Sequence, residues 1–564
     1  MTVSSTIQVL LVFLHCATSH PPSPLDHLRH DRARRNIDDN VLLKVSQTTL
    51  PGPGHDWVNV TWTGVQNPSS NDWIGVYSPP VNGSTIDHSL HAPIKFQYAN
   101  FSLSHLQKGT GLLSFRLVNM RADVIMGFFT GGFDNPTLVA VSEVISFAHP
   151  NEPLQGHLSY GGNPSQMILT WVTADVGTPE VVWFAPGADG LNYRKEANTT
   201  TYTAKDMCGS PATDFGYRDP GMIHQVVMDN LKPEYKYEYK FGDDKYGWSP
   251  VYVFKAPPLP SPNATVKFIA YGDMGNGQED DSRQKEPGQQ PALNTTRGIK
   301  GEILSTDVVL HIGDISYARG YASVWDEFFD QIQDIATYAP YMVCIGNHER
   351  DFPKSGSFYE GTDSGGECGV PYEKRFPMPR PSLDEAWYGF DYGSVHIVLM
   401  STEHDFQPQS AQYKFLDQHM SGVDRTVTPW LIFAGHRPMY VDSTNAAADD
   451  GDLTVAEQLQ KNVEPLLKKY KVDLALWGHH HSYQRTCPLY QGVCDENEGI
   501  THVIIGMAGQ SLSQNLRPQT PAWIKVADDR HYGYSRFVAN STTLLFEYMR
   551  NDGAVPDSFQ LNLK

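Results

Sequence analysis

The sequence predicts a multidomain chain in which two all-β sandwich modules precede one α/β sandwich domain. Three observations predict it. The length, 564 residues, is more than one core fills when domains average about 150 residues. The first half breaks into short alternating or apolar runs separated by Gly, Pro and Asn, which is the spacing of sandwich strands. After Asn263, apolar β-branched runs alternate with longer segments able to form helices, which is the α/β pattern.

The run Ile7 to Leu14, followed by the small residues Ala17 and Ser19, reads as a secretory signal over residues 1–19. Residues 20–40, with Pro21, Pro22, Pro24 and the basic Arg32, Arg34 and Arg35, are expected to be a tail or propeptide, because such a composition does not bury a core. A β-sandwich module is placed over 41–148, with strands at Trp57 to Trp62, Trp73 to Tyr77, Leu112 to Val118 and Val124 to Phe129. A second β module is placed over 149–257, with strands at Met167 to Val172, Val181 to Trp183, His224 to Met228 and Tyr235 to Phe241. The Pro-rich stretch Ala256 to Asn263 is the hinge to the last domain, 258–564. Strands are expected there at Val266 to Tyr271, Val308 to Ile312, Tyr341 to Ile345, His396 to Met400, Trp430 to Ala434, Val472 to Trp477 and His502 to Ile505, and a helix at Val455 to Tyr470.

A net charge of −20 leaves no basic surface for a phosphate backbone, which argues against a nucleic-acid polymer as partner. No apolar run reaches the ~18 residues of a membrane span. Seven Asn-x-Ser/Thr sequons, at Asn59, Asn82, Asn100, Asn198, Asn263, Asn294 and Asn540, agree with a secreted glycoprotein. With Cys16 leaving in the signal, five Cys remain, whose connectivity the sequence leaves open; Cys487 and Cys494 close a short loop and are the first pair expected. Cys208 and Cys368 are the second pair expected, by elimination, with Cys344 a buried thiol in an apolar run.

Five predicted strands end in a block of metal-ligand chemistry: GDMG at 272–275, GDISY at 313–317, GNHE at 346–349, AGHRP at 434–438 and GHHH at 478–481. Gly lets the chain turn where a buried strand leaves its sheet, so the following side chain faces the crevice at the strand ends. Carboxylate, imidazole, amide oxygen and phenol donors together suit hard or borderline cations, and a carboxylate is able to bridge two of them. His480, between two outward-matching neighbours, His396 and His404 are expected to be structural.

These five blocks, in this order, resemble the metallophosphoesterases, and among them the plant-type purple acid phosphatases. The phrase LKPEYKYEYKF at 231–241 is similar to late strands of fibronectin type III modules, and the extra N-terminal module resembles the large branch that contains nucleotide pyrophosphatase/phosphodiesterases. The resemblance implies a calcineurin-like catalytic domain in which Asp273, Asp314, Tyr317 and His481 hold an Fe(III). Asp314, Asn347, His436 and His479 would hold a second divalent metal (Zn, Mn or Fe), with Asp314 bridging. It also implies that a phenolate from Tyr317 colours the ferric centre, and that His348 contacts phosphate or protonates the leaving group. The implied chemistry is in-line phosphoester hydrolysis by a metal-activated hydroxide.

Two departures from the smaller two-domain pattern bear on substrate. Arg319 stands where that type has an Asp, and Asn445 and Ala446 stand where it has a His pair. A guanidinium suits bidentate contact with a further phosphate. The expected substrate is therefore a small nucleotide diphosphate or phosphodiester, bound by His348 and Arg319. A broad acid phosphomonoesterase or phytase is the alternative, and a non-catalytic extracellular binding protein is the alternative of another class.

Overall fold

The computed structural model describes residues 25, 28–88, 91–185, 193–284 and 289–563, so the signal-like run and Cys16 lie outside the described residues. The first module carries the long strand β1 (His55–Thr63), which pairs antiparallel with β3 (Gly111–Val118), while β2 (Trp73–Tyr77) pairs with β4 (Ile125–Thr130) in the facing sheet. Along β1, Val58, Val60 and Trp62 point inward and the residues between them outward, the period-2 pattern of a half-buried strand. The second module has β5 (Met167–Thr173), β6 (Glu180–Phe184), β7 (Met222–Met228) and β8 (Lys236–Asp243) around a core with Trp171 and Trp183.

The described residues of the stretch expected to be a tail, 25 and 28–40, pack instead onto the first module. Leu25 and Leu28 are buried among Trp73, Phe96 and Phe129, and Arg34–Arg35 pair in parallel with Thr137–Leu138. Its leucines and backbone edge found partners in the module that composition alone did not supply.

The last domain is two face-packed sheets flanked by helices. One sheet runs through β11 (Tyr341–Cys344), β10 (Val308–Ile312) and β9 (Val266–Tyr271), parallel to one another, and continues antiparallel into β16 (Gly533–Ala539) and β17 (Thr543–Arg550). The other is parallel through β12 (Val395–Leu399), β13 (Trp430–Gly435), β14 (Leu474–Trp477) and β15 (Thr501–Ile505). Both faces of these central strands are covered. Ile397 and Leu399 enter the core between the sheets, whereas Val398 packs with Leu416, Leu459 and Leu466 under the outer helices. This two-sided burial is why the strands read as continuous apolar runs. α1 (Ser323–Ala336) covers the first sheet with Phe328 and Ile332. The single helix expected at Val455 to Tyr470 is two, α2 (Asp452–Asn462) and α3 (Glu464–Lys469), with Pro465 in the first turn of the second.

Phe268 of β9 sits opposite Phe537 of β16, their rings stacked 4.2 Å apart. Phe268→Ala is expected to cost about 3 to 5 kcal/mol, read as a lowered denaturation midpoint of the catalytic domain.

Both expected disulfides form, Cys208–Cys368 and Cys487–Cys494, and Cys344 is a buried free thiol. The first ties the second β module to a loop of the catalytic domain. Among the described residues no helix is long and apolar enough to cross a membrane.

Candidate metal centre

Each motif residue leaves the carboxyl end of a central strand: Asp273 after β9, Asp314 and Tyr317 after β10, Asn347 after β11, His436 after β13, and His479 and His481 after β14. Asp273, Asp314, Tyr317 and His479 all have positive φ, between 49° and 67°, so four of the donors sit on strained backbone. Two of the motif glycines are required by close approach. A Cβ on Gly346 would lie 2.3 Å from Asp314 Oδ1, and one on Gly313 would lie 2.4 Å from His436 Nδ1.

The structure brings all seven predicted donors together. One group is Asp314, His436 and His479, the other Asp273, Asp314 and His481, so Asp314 belongs to both. Tyr317 Oη is 3.1 Å from Asp273 Oδ1 and 2.8 Å from His481 Nε2. Asn347 Oδ1 is 3.0 Å from both His436 Nε2 and His479 Nδ1. His348 stands at the edge, its ring 4.5 Å from that of Tyr317 and its Nε2 3.7 Å from Asp314 Oδ2.

The ring orientations fit metal coordination. His436 Nδ1 donates to the carbonyl of Ile312 at 2.9 Å, and His481 Nδ1 to that of Ser511 at 2.6 Å, so each Nε2 lone pair faces inward. His479 is turned the other way, with Nδ1 inward and Nε2 3.5 Å from Asp452 Oδ1. Asn347 gives its Nδ2 to Asp363 Oδ2 at 3.0 Å, which points its amide oxygen at the centre. The result is a buried cluster of acceptor atoms. Burial opposes the charge on Asp314, yet His436, His348 and His479 hold its carboxyl well below the ordinary value. Burial likewise favours a neutral His436, but Asp314 beside it pushes it up to about 10. The acceptors therefore demand positive charge, and cations at the two groups would supply it in place of protons.

Several contributors have no signal in the sequence. Asp363 sits in a loop and Asp452 opens α2, and no ligand spacing marks either. Glu349 lies inside the GNHE block, where its carboxylate accepts the backbone N–H of Asp314 at 3.0 Å, Ile315 at 2.8 Å and Gly346 at 3.0 Å, clamping two motif loops together. Burial and then Asp314 push it up to about 8. Beneath the centre the buried Arg437 pairs with Glu403 at 2.9 Å and Asp351 at 3.0 Å. His480 bonds Ser482 and Asn515, and His404 bonds Ser401, both structural as expected. His396 pairs with Asp391 and His419, also away from the centre. Arg319, half-buried with φ 48°, continues the turn that carries Tyr317. Asp326, in the helix that follows, accepts from Arg121 at 2.8 Å and from Gln155 at 2.6 Å.

Comparison with known proteins agrees with this architecture. Family models match over residues 43–149 (Fn3-like domain from purple acid phosphatase), 153–256 (purple acid phosphatase, N-terminal domain), 266–483 (calcineurin-like phosphoesterase) and 499–558 (iron/zinc purple acid phosphatase-like protein C). The Fn3-like description thus falls on the first module, where the sequence had placed fibronectin likeness in the second. The chain is 38% identical to an Arabidopsis thaliana protein named "Probable inactive purple acid phosphatase 1", over 99% of this chain and 95% of that one. It is 40% identical to a Hordeum vulgare protein named "Nucleotide pyrophosphatase/phosphodiesterase", over 57% of this chain and 89% of that one. The solved structure of purple acid phosphatase PPD1 from yellow lupin seeds superposes with a TM-score of 0.86 at 37% identity, covering 93% of this chain and 96% of that one. With matching domains along nearly its whole length and the metal-ligand blocks of the fold at its strand ends, the chain belongs to the purple acid phosphatases, which are metal-dependent phosphoester hydrolases.

Proposed function

We propose that this protein is a secreted hydrolase of nucleotide pyrophosphate or phosphodiester bonds, with Fe(III) held by Asp273, Asp314, Tyr317 and His481 and a second divalent metal (Zn, Mn or Fe) held by Asp314, Asn347, His436 and His479. The observation that carries it is the convergence of a complete donor set on Asp314, which two ligand groups share. Some relatives bear the word inactive in their names, but every donor that the chemistry needs is retained in this chain. When bound, the two cations supply an activated water and neutralise charge that develops on the phosphoryl oxygens.

The chain's own residues do the rest. His348 Nδ1 donates to the Asp363 carbonyl at 3.2 Å, so Nε2 is the ring atom free to hold a proton for the leaving oxygen. Asn445, where the smaller family pattern has a His, reaches Asp452 Oδ1 at 3.4 Å. The loop therefore approaches His479 without bringing a second imidazole donor, which weakens the case for phosphomonoesters. Arg319 places a permanent cation in the Tyr317 turn, suited to a second phosphate. The barley relative's name points the same way.

Arg319→Ala is expected to lower kcat/KM for a nucleotide sugar diphosphate by about ten- to a hundredfold, and for a small phosphomonoester much less. Equal losses on both substrates, with metal content preserved, would reject the diphosphate preference.

A further inference from the structure

The loop 361–369 meets the centre from outside the strand-end motifs. Asp363 lies in it, and touches two of the functional residues at once. Its Oδ2 accepts Asn347 Nδ2 at 3.0 Å, and its main-chain oxygen accepts His348 Nδ1 at 3.2 Å. The loop is itself fixed. Glu367 accepts the N–H of Gly320 at 3.2 Å and of the Trp325 indole at 3.1 Å, and Cys368 is tied to Cys208 of the second β module. Gly365 packs so close to the Arg319 carbonyl that a Cβ there would fall 2.0 Å from it.

An amide has two chemically different ends, and only its oxygen is able to hold a cation. Asn347 next to His436 and His479 has no intrinsic reason to present that oxygen rather than its NH2. A carboxylate that accepts only from the NH2 end settles the choice, because the flipped amide would set oxygen against oxygen. We propose that Asp363 is a positioning residue that fixes the Asn347 amide with its oxygen toward the second-metal site, while the same residue's backbone sets the His348 ring. The inference rests on the assignment of Asn347 to the second metal but not on the identity of the substrate.

The test is Zn2+ binding by equilibrium dialysis to protein stripped of its labile metal, with the visible band at Tyr317 as an internal record of the first site. Asp363→Ala is expected to weaken Zn2+ binding by about ten- to a hundredfold with the band unchanged, the usual effect of losing a residue that orients a ligand. Asp363→Asn, whose side-chain oxygen still accepts from Asn347, is expected to stay within about threefold of wild type. Unchanged Zn2+ affinity in Asp363→Ala overturns the proposal. So does an Asn variant as weak as the Ala variant, because charge rather than an oriented acceptor would then be responsible. Loss of the band together with Zn2+ affinity overturns it as well, by placing Asp363 in the general fold of the centre. Turnover of no substrate enters these readouts, so a wrong substrate assignment leaves them intact.

Discussion

Asp314→Asn is expected to lower kcat by about a thousandfold, or ~4 kcal/mol in the barrier, and to release metal. Asp314 is the one residue common to both donor groups, and its Oδ1 lies 3.2 Å from His436 Nε2. An amide there offers neither the negative charge nor the second anionic oxygen that bridging needs. Asn347→Ala removes a neutral donor from one group and is expected to cost distinctly less. Metal content and kcat measured on both variants check the comparison. Equal residual activity with unchanged metal in the two would count against a bridged pair.

Tyr317→Phe is expected to abolish a pink to purple colour while the fold survives. The ring is almost wholly buried against His348, and Phe fills that space, so what is lost is the oxygen between Asp273 and His481. A phenolate on Fe(III) is the donor here able to give a visible charge-transfer band. Burial, Asp273 and Asp314 all push the Tyr317 phenol upward in pKa, so the phenolate needs the cation, and the band reports both together. Visible absorption spectra before and after substitution, with circular dichroism as the fold control, decide it. A retained band would remove Tyr317 from the ligand set.

Much of the fold was legible because it is written in local pattern. Val266–Tyr271 and Val308–Ile312 have the bounds read from their apolar runs, since every residue of the two strands except Lys267 is buried and their apolar residues outnumber the single polar one in each. The same locality exposed the metal donors. Gly followed by Asp, Asn or His at a strand end is a short-range signature, and five of them in a parallel sheet sandwich have one place to meet. Strands Gly533–Ala539 and Thr543–Arg550 were not placed in advance. Their alternation is that of an ordinary hairpin, and nothing nearby in sequence shows that the hairpin extends the sheet of Val266–Tyr271.

By itself, the sequence determined the three-part architecture and the strand-end donors of this protein, while the two disulfide pairings were fixed by the structure. Tertiary structure alone decided how those donors are aimed. The carbonyls of Ile312 and Ser511 set two imidazoles, Asp452 stands at the far nitrogen of a third, and Asp363 sets the amide. It also decided that Leu25, Leu28 and the strand Arg34–Arg35 dock on the first module. The division has one physical cause. A ligand's identity is fixed by the residue and its turn, which neighbours in the chain specify. Its orientation is fixed by hydrogen bonds from segments up to 124 residues away, as between Ile312 and His436, and those partners are interchangeable polar groups that carry no pattern until the chain has folded.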